Sequence, residues 1–366
     1  MGKIAIVGAG LIGQAWGAVF VAAGHDVVLY DPIAGVADGA APKVLARLQD
    51  LADHGLIAAQ EYRSQISVAA SLAAALEGVI YVQESGPEKR DVKATLTAEM
   101  DAILPPDVPI GSSTSGIPAS SYAADVAGRA RCLVVHPINP PHLVPAVEIV
   151  PAPFTAAEVT QKVRDLIAQT GQIPITLKRE IDGFVVNRLQ GALLIEAFKL
   201  LQNGVAAPED IDRAICDGLG MRWSFMGPFE TIHLNAPGGV SDYVTRFAGM
   251  YQTMFEGDTK ISDWSAALDQ GLTSYLDAAP ARQPARGASR ARSKAYGAFA
   301  RAACGGAQGI SLLACPCLCH VAQLEFLDFT RACARDLCEN KITRAFIMGK
   351  AVAAPFAQII GACAFP

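Results

Sequence analysis

The stretch HPINPPHLVPAVEIV, residues 136–150, sets His136 and Glu148 twelve positions apart among prolines and aliphatic residues. An imidazole titrates near neutral pH, so it can take up a proton and return it within one reaction cycle. Brought together, a histidine and a carboxylate would form a general acid–base pair. Left apart, they would be a turn histidine and a glutamate at a strand edge, and the segment alone leaves both readings open. Two further polar clusters, Glu84 to Glu88 and Ser112 to Ser115, share the same context: like His136 to Asn139, each closes a short aliphatic run.

The elements that must position these groups begin at the first residues. KIAIVGAGLIGQAWGAVFVAAGHDVVLYD reads as a strand over Lys3–Val7, a glycine loop, a helix to about Ala23, a turn at Gly24 and a second strand ending at Asp31. Gly8, Gly10 and Gly13 match G-x-G-x-x-G, in which the first glycine permits a tight turn, the second lets backbone approach a pyrophosphate and the third lets the helix pack on the strand. The helix start then offers unpaired N–H groups and a partial positive charge to phosphates. Asp31 is placed to accept hydrogen bonds from a ribose and would repel a 2′-phosphate, which predicts NAD rather than NADP as cofactor.

Runs at 78–84, 108–114, 131–137, 146–151 and 172–178 read as strands, and segments near 43–54, 90–103 and 156–170 as helices. This alternation predicts an α/β fold, a Rossmann-type doubly wound and mostly parallel sheet, over residues 1–180. In such sheets ligands gather at the carboxyl ends of strands, where the three polar clusters fall. Over residues 181–278 the apolar spacing becomes helical, with a helix start at Pro208–Asp210 and glycine stops, predicting an all-α C-terminal domain. Its leucine-rich helices need a partner, so a homodimer through this domain is expected.

Composition narrows the function classes. The chain has 366 residues, 51% apolar and 18% charged, as expected of a folded protein with well-developed cores. A formal net charge of −5 gives no support to polyanion binding, and no nucleic-acid partner is expected. The sequence opens directly on a strand-like run and holds no apolar stretch of membrane-spanning length, so a cytoplasmic protein without a membrane partner is expected. Lys and Arg number 19 against 31 Asp and Glu over residues 1–278, but 11 against 4 over 279–366, where seven of the nine cysteines also fall. Cys315, Cys317, Cys319 and His320 lack the two-residue gap of zinc knuckles, so no metal is expected. The atypical basic tail of 279–366 reads either as a linker to a small helical module or as a translated segment outside the ancestral reading frame. The second fits better, because arginine, alanine and cysteine without patterning give little core to bury.

Five motifs in order, the glycine loop with Asp31, VQESGPEKRDVK, SSTSGIP, HPINPPHLVPAVEIVP and GFVVNRLQ, resemble the 3-hydroxyacyl-CoA dehydrogenase family over roughly residues 1–265. HPINPP and GLGMRWSFMGPFETIHLNAPGG are most similar to its L-gulonate 3-dehydrogenase or lambda-crystallin branch, whereas the coenzyme A branch usually carries HFFNP at this point. The resemblance implies NAD-dependent oxidation of the 3-hydroxyl of a small hydroxy acid, L-gulonate first. Short 3-hydroxyacyl-CoA thioesters such as 3-hydroxybutyryl-CoA, and carnitine, are the alternatives, and a non-catalytic NAD-binding crystallin is the reading from another class. By the same resemblance His136 is the general base, Glu148 orients it, and Ser115 and Asn187 donate hydrogen bonds to the substrate oxygen. Glu88 and Lys93 would contact the cofactor, and Leu11 and Ile12 would lie in the loop over its pyrophosphate. Arg222 is a candidate for gripping the substrate carboxylate with its planar guanidinium.

Overall fold

Eight short aliphatic runs become strands: β1 (Lys3–Val7), β2 (Asp26–Tyr30), β3 (Ile66–Val68), β4 (Val79–Glu84), β5 (Ile110–Ser112), β6 (Cys132–Pro137), β7 (Ala146–Pro151) and β8 (Ile173–Thr176). In the computed structural model, which describes residues 1–255 apart from 59, 61, 63, 64 and 225, they form one sheet in the order β3-β2-β1-β4-β5-β6-β7-β8. Every neighbouring pair is parallel except β6 and β7, which run antiparallel and set His136 directly opposite Glu148. Strand order reverses between β1 and β4, so the ligand crevice of such a sheet opens over these two strands.

Six helices cover the faces: α1 (Leu11–Ala22), α2 (Val36–Asp53), α3 (Leu72–Leu76), α4 (Arg90–Ile103), α5 (Ala119–Tyr122) and α6 (Ala157–Gln169). Along β1, Ile4 and Ile6 pack with Trp16, Phe20, Val44 and Ile167 on one face, while Ala5 and Val7 pack with Leu76, Met100 and Tyr122 on the other. Burial on both sides explains why the strands read as continuous apolar runs rather than alternating ones. Helix α1 lies so close to the β1 turn that a Cβ on Gly13 would fall 2.0 Å from the Gly8 carbonyl oxygen, and Gly8 itself has φ +100°.

Two features depart from the sequence expectation. Helix α2 starts at Val36, well before residue 43, and carries Pro42 inside it on an exposed position. Proline there costs one ladder hydrogen bond, but its solvent-facing side lets water satisfy the carbonyl left over. Strand β3 and helices α3 and α5 went unread because segments of three to five residues carry no period.

After β8 the described chain is helical: α7 (Val186–Gln202), α8 (Pro208–Arg213), α9 (Gly220–Trp223), α10 (Pro228–Leu234) and α11 (Gly239–Met254), with a π-helical stretch over Ala214–Leu219. Helix α7 presents Leu189, Leu194, Ile195 and Phe198 to the exterior. No described helix is long and apolar enough to cross a membrane. The basic tail, with Cys315, Cys317, Cys319 and His320, lies outside the described residues.

Candidate active site

Antiparallel pairing of β6 and β7 brings the two residues of the opening motif together. His136 is 7% exposed and Glu148 fully buried, and His136 Nδ1 lies 2.8 Å from Glu148 Oε2. The other carboxylate oxygen, Oε1, accepts the N–H groups of Val185 at 2.7 Å and Val186 at 2.9 Å, at the start of α7. Burial pushes the Glu148 pKa up, but the bonds from His136, Val186 and Val185 outweigh it and leave the group below its ordinary value. An ionised Glu148 can only accept, so Nδ1 carries the ring proton of a neutral His136 and Nε2 presents a lone pair. Phe184, buried and held at φ +50° after Gly183 at φ +74°, sets its ring 5.7 Å from the imidazole. This left-handed pair turns the chain sharply enough to aim the next two N–H groups at Glu148, at a steric cost of roughly 1–2 kcal/mol for the non-glycine residue.

Asn187 follows Val186 directly, and its Nδ2 donates to the Ser115 carbonyl at 2.7 Å. Ser115 therefore joins the histidine through α7. Its loop hangs from one carboxylate oxygen: Glu88 Oε1 accepts from Thr114 Oγ1 at 2.6 Å, the Ser115 N–H at 2.9 Å, Ser115 Oγ at 3.2 Å and the Gly116 N–H at 3.2 Å. Partial burial opposes ionisation of Glu88, but Thr114, the Lys93 charge and the two backbone donors prevail and depress its pKa.

Lys93 is 1% exposed and sits behind this loop, 3.0 Å from Glu84 Oε2 and 3.6 Å from Glu88 Oε2. Glu84, at the end of β4, also accepts from Ser112 Oγ and from the Gly86 N–H. The order Glu84, Lys93, Glu88, loop 114–116 ties the sheet to Ser115 by alternating charge. Glu84 and Ser112 belong to clusters visible in the sequence, but nothing there joins Glu84 to Ser112 and Lys93. The signal was an acid closing an apolar strand, with a lysine in the first turn of the next helix. Nothing in the sequence marks Phe184 except the preceding glycine.

The third group of residues lines the switch point. Asp31 Oδ2 accepts the Ala9 N–H at 2.9 Å and Oδ1 the Ile33 N–H at 3.0 Å, which braces the glycine loop and leaves a lone pair on each oxygen. Gly10 opens α1 without a side-chain cap, and a Cβ built on it would meet no protein atom within 4 Å. Space in front of a helix N-terminus, between a glycine loop and a carboxylate one strand over, fits the pyrophosphate and ribose of a dinucleotide. Leu11 is exposed beside this space, while Ile12 is half-buried against the core. Arg222 lies exposed on α9.

Comparison with known proteins agrees with this geometry. Residues 3–181 match the family description "3-hydroxyacyl-CoA dehydrogenase, NAD binding domain", and residues 183–267 match "3-hydroxyacyl-CoA dehydrogenase, C-terminal domain". The lambda-crystallin of Oryctolagus cuniculus is 36% identical over 293 residues, covering 78% of this chain and 92% of its own length. The L-carnitine dehydrogenase of Streptomyces griseus subsp. griseus is 38% identical over 246 residues, covering 67% and 73%. Among solved structures, the 3-hydroxyacyl-CoA dehydrogenase of Archaeoglobus fulgidus matches with a TM-score of 0.58 at 26% identity, covering 74% of this chain and 88% of that one. One description matches the parallel sheet with its glycine loop and the other the helices that follow, and the chain belongs to the 3-hydroxyacyl-CoA dehydrogenase family of NAD-dependent oxidoreductases acting on CH–OH groups.

Proposed function

We propose that this protein oxidises the 3-hydroxyl of a small hydroxy acid, with L-gulonate as the substrate and His136 as the general base. The observation that carries the proposal is the buried relay from α7 through Glu148 to His136, which fixes the tautomer and leaves Nε2 ready for a proton. NAD, when bound, supplies the acceptor for the hydride leaving the substrate carbon. His136 Nε2 takes the hydroxyl proton, and ionised Glu148 stabilises the resulting imidazolium without itself taking the proton. Asn187 spends one Nδ2 hydrogen on the Ser115 carbonyl and keeps a second for the substrate oxygen. Ser115 Oγ holds Glu88 at 3.2 Å, a long bond that it exchanges for one to the same oxygen as a carbonyl forms. Glu88 and Lys93 act behind these donors, setting the loop they stand on, and Arg222 receives the substrate carboxylate.

L-Gulonate is favoured by HPINPP, where Ile138 and Pro141 depart from the coenzyme A branch, and by the match to a lambda-crystallin. Carnitine is the second reading, on the 38% identity to an L-carnitine dehydrogenase. Purified protein with NAD and L-gulonate, carnitine, 3-hydroxybutyrate or 3-hydroxybutyryl-CoA, followed by absorbance of reduced cofactor, tests both substrate and mechanism. L-Gulonate should give the highest kcat/KM. His136→Gln and Glu148→Gln should lower kcat by about 10²–10⁴-fold with a smaller change in KM. Turnover by His136→Gln at the wild-type rate would remove the histidine from the mechanism, and no turnover of any substrate by wild type would favour a structural, crystallin-like role.

A further inference from the structure

A second hydrogen-bonded chain, separate from the His136 relay, runs along the carboxyl ends of β4 and β5, and its protons can be assigned one by one. Gln83 Nε2 donates to the Val135 carbonyl at 3.2 Å and to Ser113 Oγ at 2.7 Å, while its Oε1 accepts the Tyr81 hydroxyl at 2.6 Å. Turning the amide over would set Oε1 against the Val135 carbonyl, acceptor against acceptor, so this orientation is fixed. Burial pushes the Tyr81 phenol well above its usual range, which keeps it a neutral donor. Trp16 Nε1, which can only donate, lies 3.2 Å from the same Ser113 Oγ. Ser113 Oγ thus receives two N–H groups, and its own proton must go to Ser85 Oγ at 2.9 Å. Ser85 is the acceptor in that bond. Its own proton has no acceptor among the described residues.

Ser85 follows β4 at the switch point. Its N–H donates to the Val7 carbonyl at 2.7 Å, and a Cβ on Gly8 would fall 2.5 Å from its carbonyl carbon, so it stands against the glycine loop. It is half-buried. Asp31 ends β2 on one side of β1, and Ser85 follows β4 on the other. A dinucleotide with its adenosine ribose at Asp31 and its pyrophosphate over the loop therefore passes its nicotinamide half over β4. The same chain of bonds reaches the carbonyl of Val135, the neighbour of His136, the proposed proton acceptor.

We infer that Ser85 is a cofactor-binding residue, its hydroxyl oriented by Ser113 so that it donates a hydrogen bond to an oxygen on the nicotinamide side of bound NAD. The inference rests on NAD occupying this crevice, and calorimetric titration separates the two questions. Wild type, Ser85→Ala, Ser113→Ala and the double variant are titrated with NAD and with ADP, which lacks the nicotinamide half. Ser85→Ala should weaken NAD about three- to tenfold and leave ADP unchanged, the loss of one hydrogen bond. Ser113→Ala should weaken NAD as well, and the double variant no further than Ser85→Ala alone, because Ser113 acts through Ser85. Equal NAD affinity of wild type and Ser85→Ala, or equal losses for NAD and ADP, would overturn the inference alone. Absence of NAD binding by wild type would overturn the cofactor reading and this inference with it.

Discussion

His136 owes its usefulness to what Glu148 accepts, and a second histidine shows the opposite environment. His142, in the loop between β6 and β7, has an Nδ1 that is buried without a partner, and burial together with the Arg47 charge lowers its pKa to about 4 against the weaker pull of Asp50. In the unfolded chain the group titrates near 6.5. Between those values the unfolded state binds a proton that the folded state refuses, so stability falls as pH drops from about 6.5 toward 4. Melting curves at pH 7.5 and 5.0 should show a larger loss for wild type than for His142→Asn. An identical loss in both would show that His142 carries none of this pH dependence. Residue type made His136 and Glu148 candidates and the family resemblance paired them, but spacing alone did not; it is the antiparallel pairing across a proline-rich loop that converts twelve positions of separation into direct opposition. The buried place of Lys93 was not, since a lysine between two glutamates reads like any surface charge until the sheet closes over it.

At the level of elements, the glycine loop separates two requirements that the motif runs together. A methyl on Gly13 strikes the Gly8 carbonyl, whereas a methyl on Gly10 strikes nothing in the protein. Gly13→Ala should therefore lower stability by about 1–3 kcal/mol, the cost of overpacking, and weaken NAD as well. Gly10→Ala should keep the melting temperature within a few degrees and still weaken NAD tenfold or more, because the added atom stands where backbone must approach the pyrophosphate. Thermal melts paired with NAD titrations decide the matter, and full NAD affinity in Gly10→Ala would show that the loop is not the cradle. Long elements such as α4 and α6 were readable because several turns of apolar spacing repeat, whereas α1, buried on all sides from Gly13 to Val21, was readable from the glycine loop that opens it. The early start of α2 was hidden by Pro42, which reads as a helix beginning but sits in the interior where its solvent-facing side makes it tolerable.

Across the whole molecule, the two parts differ in how completely they bury their apolar residues. The sheet closes over two cores, while α7 leaves Leu194, Ile195 and Phe198 outward on one side of the helix, an apolar face of the kind that marks an interface. We propose that a second copy of the chain covers it. Light scattering on the full chain should give the dimer mass, and Leu194→Asp with Phe198→Asp should give the monomer; a wild-type monomer at micromolar concentration would refute the proposal. The helical character of this region was legible from its spacing, but what its outer face meets was not, because sequence periodicity records burial without naming the partner. Glu148 lends the sheet and the helices a shared part. One of its oxygens holds the imidazole and the other holds the first N–H groups of α7, so His136 and the start of α7 are tied to one side chain. A single buried carboxylate thus serves as the rivet between the two layers: the residue that fixes the tautomer of the imidazole also fixes where the helical part of the chain begins.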